Sequence, residues 1–302
     1  MYMRQSLINF FKNTVVLKYT LPNQQLGIDK SIYTTIDNDY CYQVDNDDKL
    51  VELIVNSIVD YSFNDRELVN KDIVKKHFSA IRSRLRYENG DNIDTKEKYG
   101  FYGEVLLNLM LRLNFGTNSI IAKGYFYDIL APAENKGFDS FHIIETDNQL
   151  QLWFGEVKFH QTYHSALESI FRNIEKAISD NYFFCNLLAM ENKHNSLNVV
   201  GSKVSEILEV LSDDPNVVIA DLLQTYSMKL VYPIFILCAT PRNYDYTIKS
   251  IIDKIRNEYG NKNLSLGFEY DIFFILLPVN DVKQIKMNVI QWIDSKKPLT
   301  LL

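Results

Sequence analysis

Cysteine is scarce: three in 302 residues, Cys41, Cys185 and Cys238, odd in number and far apart. Cys185 follows Phe183-Phe184 and Cys238 follows Ile236-Leu237, so they read as reduced thiols among apolar neighbours. A disulfide framework or a zinc site is thereby excluded, and a cytoplasmic setting is expected. Glycine (11) and proline (7) are also few, which rules out a collagenous, low-complexity or disordered chain. No apolar run nears the ~18 residues of a membrane span; Phe273-Phe274-Ile275-Leu276-Leu277 is only strand-sized. Polar residues break up Met1–Ser6, so no secretion signal is expected. Positive charge is short too. The net charge of −6 means that any contact with nucleic acid must rest on a local patch. Neither a Gly-x4-Gly-Lys-Ser/Thr loop nor a Gly-x-Ser-x-Gly setting for a nucleophile occurs, and internal repeats are absent.

What remains is abundant core material. The chain is 46% hydrophobic with 19 Tyr and 18 Phe, enough for one large domain with elaborations. Helical periodicity is expected over 64–86, 97–113, 163–192, 204–212, 217–228, 246–259 and 282–293. Strand-like runs fall at 120–130, 138–145, 150–159, 231–238 and 270–278. That order predicts an α/β (mixed α+β) fold, a mixed central sheet flanked by helices on both faces. Residues 1–62 are expected as an N-terminal extension packed on a main domain spanning 63–302. The five aspartates between Asp37 and Lys49 lack the glycine and glutamate of a calcium loop and predict a solvated loop.

Two features carry charge with a pattern. Lys75, Arg82 and Arg86 fall at i, i+7 and i+11 of the helix expected over 64–86. The stripe is either an ordinary solvated face or a phosphate contact. The second feature is Lys136-Gly137-Phe138-Asp139-Ser140-Phe141-His142, followed by Trp153-Phe154-Gly155-Glu156-Val157-Lys158-Phe159. Glu-x-Lys recurs elsewhere in polar surroundings, but Glu156-Val157-Lys158 is embedded in an apolar strand. Ionisable groups there cost several kcal/mol unless paired or bound to an ion.

With Asp147-Asn148 as a two-residue turn, paired positions sum to 295 and Asp139 lands opposite Glu156. Like charges at facing positions repel. Lys158 lies on the same face by the period of two, with Gly137 opposite it. A hard divalent cation such as Mg²⁺, for which Mn²⁺ can substitute, resolves the conflict through one or two carboxylates, waters and a substrate phosphate. Lys158 would then handle water or phosphate charge, and Glu104, inside a helix apolar on nearly every side, could add a carboxylate. The alternative is a buried Asp139–Lys158 ion pair with Glu156 as a bystander. His160 and His164 straddle a strand end and a helix start, which does not suit a zinc pair.

An acid in a helix, Gly-Phe-Asp at a strand start and Gly-Glu-Val-Lys at the next strand's end resemble the PD-(D/E)xK superfamily of restriction-endonuclease-like folds. Phe138 stands where a proline is usual. More narrowly, the two quoted segments resemble the HamA family, nuclease subunits of the Hachiman anti-phage defence system. The motif-bearing resemblance covers residues 95–190. It implies a restriction-endonuclease-like core with N-terminal and C-terminal elaborations, and a metal-dependent DNA endonuclease or nickase restrained by a helicase (HamB-like) partner. It also implies Asp139 and Glu156 as metal-binding acids, Lys158 as the catalytic lysine, Glu104 as the helix acid and Gln161 as a polar neighbour. A catalytically idle nucleic-acid-binding or scaffold module of this fold, or a nuclease acting on RNA, stays open at this point.

Overall fold

The computed structural model describes residues 3–22, 38–128, 133–134, 137–146, 149–193, 196–198, 202–214, 217–240, 243–259 and 270–301. Its strands are β1 (Val15–Pro22), β2 (Asn38–Val44), β3 (Asn118–Ser119), β4 (Tyr127–Asp128), β5 (Ala133–Glu134), β6 (Ser140–Glu145), β7 (Leu150–His160), β8 (Met228–Ala239) and β9 (Tyr270–Val279). The helices that matter below are α1 (Gln5–Thr14), α2 (Asp47–Ser62), α3 (Ile73–Ser83), α4 (Phe101–Asn114), α5 (Tyr163–Ala177), α6 (Asp180–Glu191), α7 (Lys203–Asp213), α8 (Ile219–Thr225), α9 (Tyr244–Tyr259) and α10 (Val282–Asp294).

Seven strands form one mixed sheet in the order β1-β2-β9-β8-β7-β6-β3. β7, β8 and β9 run parallel at its centre, with β2 parallel to β9. The β1–β2, β6–β7 and β3–β6 pairs are antiparallel. The mixed α/β sheet expected from the order of elements is therefore present, and residues 1–62 supply two of its strands.

Alternation along β8 shows how the core divides. Leu230, Tyr232, Ile234 and Ile236 join one cluster with Leu167 and Ile170 of α5 and Ile251 of α9. Val231, Phe235 and Leu237 join another with Ile54 of α2, Leu106 of α4 and Ile285 of α10. Each face of the sheet thus meets its own helical layer, as a strand buried on both sides requires. α4 is buried from Phe101 through Arg112, in keeping with its all-round apolar sequence.

Four local expectations change. The run expected as a strand over 120–130, of which 129 and 130 lie outside the described residues, holds a tight 3₁₀ turn, Lys123–Phe126, leading into β4. A Cβ on Gly124 would lie 2.6 Å from the Ser62 carbonyl, so backbone contact sets this segment rather than strand pairing. The helix expected over 64–86 is a single turn, Asp65–Leu68, a left-handed Asn70 (φ 55°), and then α3, whose start Asp72 caps. α3 ends at Ser83, so Arg86 lies beyond it and the three-residue basic face does not form. The helix at 163–192 is two helices, because the Ser179 side chain caps α6. The acidic run is not a solvated loop: Asp39 is buried in β2 and Asp47 opens α2, while Asp37 lies outside the described residues.

Candidate active site

The β6–β7 ladder runs from Ser140↔Gly155 to Glu145↔Leu150, the register that the sequence predicts. The Asp147-Asn148 turn itself lies outside the described residues; beside it the Thr146 N–H donates to the Gln149 carbonyl at 3.0 Å. β6 has six residues and β7 eleven, so pairing stops at Gly155 while β7 continues to His160. Along that open edge, side chains take the place of a strand. The Asp139 N–H still donates to the Gly155 carbonyl at 2.9 Å. The Val157 N–H donates to Asp139 Oδ2 at 2.7 Å, and Lys286 Nζ donates to the Phe159 carbonyl at 3.1 Å. Three of the edge's backbone groups are thus satisfied without a strand, and the edge lines a cleft.

Glu156 and Lys158 share a face of β7, and their side chains form an ion pair, both largely buried. The sequence alternative paired Lys158 with Asp139; instead Asp139 is held by the Val157 N–H and Lys158 by Glu156. Burial, together with the neighbouring Asp139 charge, raises the Glu156 carboxyl to about 7, against the attraction of Lys158 and Lys123. Burial opposes the Lys158 ammonium, but Glu156, Asp139 and Glu104 outweigh it and hold its pKa above the ordinary value.

Glu104 arrives from the first turn of α4, on the other side of the sheet. It is 5% exposed, and its Oε2 accepts the Tyr61 hydroxyl of α2. Gly100, one turn earlier, gives it room: a Cβ there would lie 2.6 Å from Glu104 Oε1. Gly137 does not serve Lys158 as expected. A Cβ on it would meet Asn186 Oδ1 at 2.6 Å, and that oxygen accepts the Phe138 N–H, so this glycine makes space for α6.

Two clefts meet at Glu104 and Asp139. One, of about 650 Å³, continues past Lys158, His160 and Gln161 to Lys283 and Lys286 of α10. The other, of about 500 Å³, holds Glu156, Lys123, Lys176, Tyr182 and Arg86. Both lie at the carboxyl end of β7, where α/β sheets with parallel centres open their crevices. Gln161 is at the cleft, its Oε1 accepting the Lys283 N–H at 3.1 Å. Of the basic stripe only Arg86 reaches this region; Lys75 is solvent-exposed beside Asp72 at 3.8 Å, and Arg82 lines a separate cavity. His164 Nδ1 lies 3.1 Å from Lys254 Nζ, away from any pairing with His160.

Sequence reasoning did not find Lys123, Lys176, Lys286 or Tyr61. Lys123 is 7% exposed and donates to the Phe138 carbonyl at 2.6 Å; the one signal that could have marked it is a lysine between the apolar runs Ile120-Ile121-Ala122 and Tyr125-Phe126. Lys286 recurs on the buried side of its helix next to Ile285, which periodicity alone does not separate from a solvated lysine.

Fold and site together define a mixed α/β protein whose central sheet is covered on both faces and carries two clustered acids, a lysine and a helix acid at one end. The HamA family model matches residues 9–293, and the chain belongs to that family, a component of Hachiman antiviral defence. No curated protein and no solved structure matches it. Among the described residues no helix is long and apolar enough to cross a membrane.

Proposed function

We propose that the chain is a Mg²⁺-dependent phosphodiesterase that cuts DNA, with its active site at the open end of the β6–β7 hairpin in the domain 63–302. The observation that carries this reading is the crowding of Asp139 and Glu156 beside Lys158 at a cleft, which no packing need explains.

The donor set suits a hard divalent cation. Among the described residues no three His, Cys, Asp or Glu side chains form a ready-made cage. Mg²⁺ does not need one, since it keeps waters and substrate oxygens around one or two carboxylates. Asp139, through the oxygen not bonded to Val157, and Glu156 would hold it, with Glu104 adding a carboxylate. A bound ion would supply Lewis acidity toward a phosphoryl oxygen and a more acidic water. Tyr61 orients Glu104 by hydrogen bonding one of its oxygens. Lys158, drawn from Glu156 toward the scissile phosphate, would as an ammonium neutralise developing charge and orient the attacking water. Lys283, Lys286, Arg86 and Lys176 line the two clefts on either side and suit phosphates of one strand.

Family membership supports a role beside a helicase subunit that restrains cleavage. The test is cleavage of supercoiled plasmid DNA, with and without that subunit, across Mg²⁺ and Mn²⁺ concentrations. Glu156→Ala and Lys158→Ala should abolish nicking while the fold persists, and EDTA should abolish wild-type nicking. Cleavage that survives chelation or either substitution would remove the assignment to this site. Cleavage of RNA alone would redirect it to RNA, and binding without any cleavage would make the chain an idle binding module.

A further inference from the structure

A third cavity, of about 550 Å³, lies between α3 and α10, apart from both clefts. Its wall is aromatic, with Phe78, Tyr87, Tyr127 and Trp292, and Phe78 remains 47% exposed. The indole Nε1 of Trp292 is buried with no hydrogen-bond partner. That nitrogen is closed to solvent, so the ring of Trp292, not its N–H, meets the cavity. Three cations stand at the same place, Arg82, Lys296 and Lys297, and Lys297 Nζ lies 5.8 Å from the centre of the Trp292 ring. Their side chains form no ion pair or hydrogen bond among the described residues. The one acid in the lining, Glu88, accepts the Tyr127 hydroxyl at 2.8 Å. In a protein of net charge −6 this is a local excess of positive charge around exposed aromatic surface.

The ligand that fits is flat and aromatic and carries negative charge at one end. A fatty acid would put its single carboxylate among three cations and would make no use of the flat rings. A nucleoside phosphate answers both features: base on the aromatic wall, phosphate at the cations. The volume falls within the ~300–1,000 Å³ usual for small-ligand sites. We propose that this cavity binds a nucleoside phosphate, either as a free nucleotide or as one residue of a single strand. Arg82, which sequence periodicity placed on a helical stripe, acts here.

Trp292 provides the readout, since the chain has one other tryptophan, Trp153, which is 5% exposed in the sheet. The full chain is titrated in EDTA with AMP and GMP, and separately with a short single-stranded DNA, while tryptophan emission is followed. Quenching is expected in the wild type and should vanish in Trp292→Phe. The surface pair Arg82→Glu and Lys297→Glu, which leaves the aromatic wall intact, should weaken the apparent affinity tenfold or more. Quenching by mononucleotides assigns the site to free nucleotides; quenching by the oligonucleotide alone assigns it to a strand. No response to either probe at millimolar concentration, quenching that persists in Trp292→Phe, or an affinity untouched by the charge reversal would overturn the proposal. The cavity shares no lining residue with the clefts and the titration needs no metal, so failure of the nuclease reading leaves this test intact.

Discussion

Asp139 holds Val157 across the end of the hairpin: its Oδ2 accepts the Val157 N–H at 2.7 Å, just beyond the last β6–β7 pair. The carboxylate therefore has a structural task besides any chemistry. Asp139→Asn keeps an acceptor and removes a charge facing Glu156, so its stability in EDTA should equal or exceed that of the wild type. Asp139→Ala removes the acceptor and should cost about 1–3 kcal/mol by denaturant unfolding. Equal losses in both variants would show that charge, not the hydrogen bond, is what the fold needs from Asp139.

The hold on Glu104 can be tested from both sides. Tyr61→Phe removes its hydrogen bond without a cavity, and Gly100→Ala puts a methyl against its Oε1 in a backbone conformation that alanine accepts. Both variants should fold. Each should need about 10–100-fold more Mg²⁺ for half-maximal nicking, the usual effect of losing an outer-shell partner. A lowered rate with unchanged Mg²⁺ dependence would exclude Glu104 from the metal.

Asp39 gives a pH dependence far from the clefts. It is 1% exposed, accepts the Phe274 N–H at 2.8 Å through Oδ1, and has no partner for Oδ2. Burial raises its carboxyl to about 7, opposed by that hydrogen bond. The folded state thus holds the proton up to about pH 7, while the unfolded chain releases it near 3.8. This contribution to stability is complete below pH 3.8 and is lost as pH rises through 7. Asp39→Asn should therefore be more stable than the wild type at pH 8, on the order of 2–4 kcal/mol. The gap should shrink toward pH 5. A gap independent of pH would show that Asp39 keeps an ordinary carboxyl.

Salt separates the clefts from the rest of the basic surface. Arg86→Glu with Lys176→Glu should weaken DNA binding and flatten its logarithmic salt slope by roughly 0.9 for each phosphate no longer neutralised. Lys75→Glu, at a solvated position beside Asp72, should leave the slope unchanged. Fluorescence anisotropy across a salt series, in EDTA, reads both. The reverse pattern would return DNA to the α3 surface.

The hairpin could be read from the sequence because it is local: alternation fixes which side chains share a face, and a short turn fixes the pairing sum. Glu104 was legible for a related reason, an acid inside a helix with no polar face. Arg86 was misplaced because Asn70, Asp72 and Ser83 divide what periodicity presents as one helix. Tyr61 and Lys123 could not be assigned. Tyr61 meets its partner 43 residues away through helix packing, and Lys123 sits in a turn set by contact with the Ser62 backbone. Local periodicity carries no information about either.

The mismatch in length between β6 and β7 also bears on which insertions this fold can accept. If β6 began four residues earlier in the same register, its backbone would bond Val157 and Phe159, displacing Asp139 Oδ2 and Lys286 and sealing the edge with every acid still encoded. Extra residues between Thr146 and the exposed Gln149 would leave that register and the clefts untouched. Gain and loss of residues should thus be sharply asymmetric across one hairpin: free at its tip, and barred at its base wherever added residues prolong the strand.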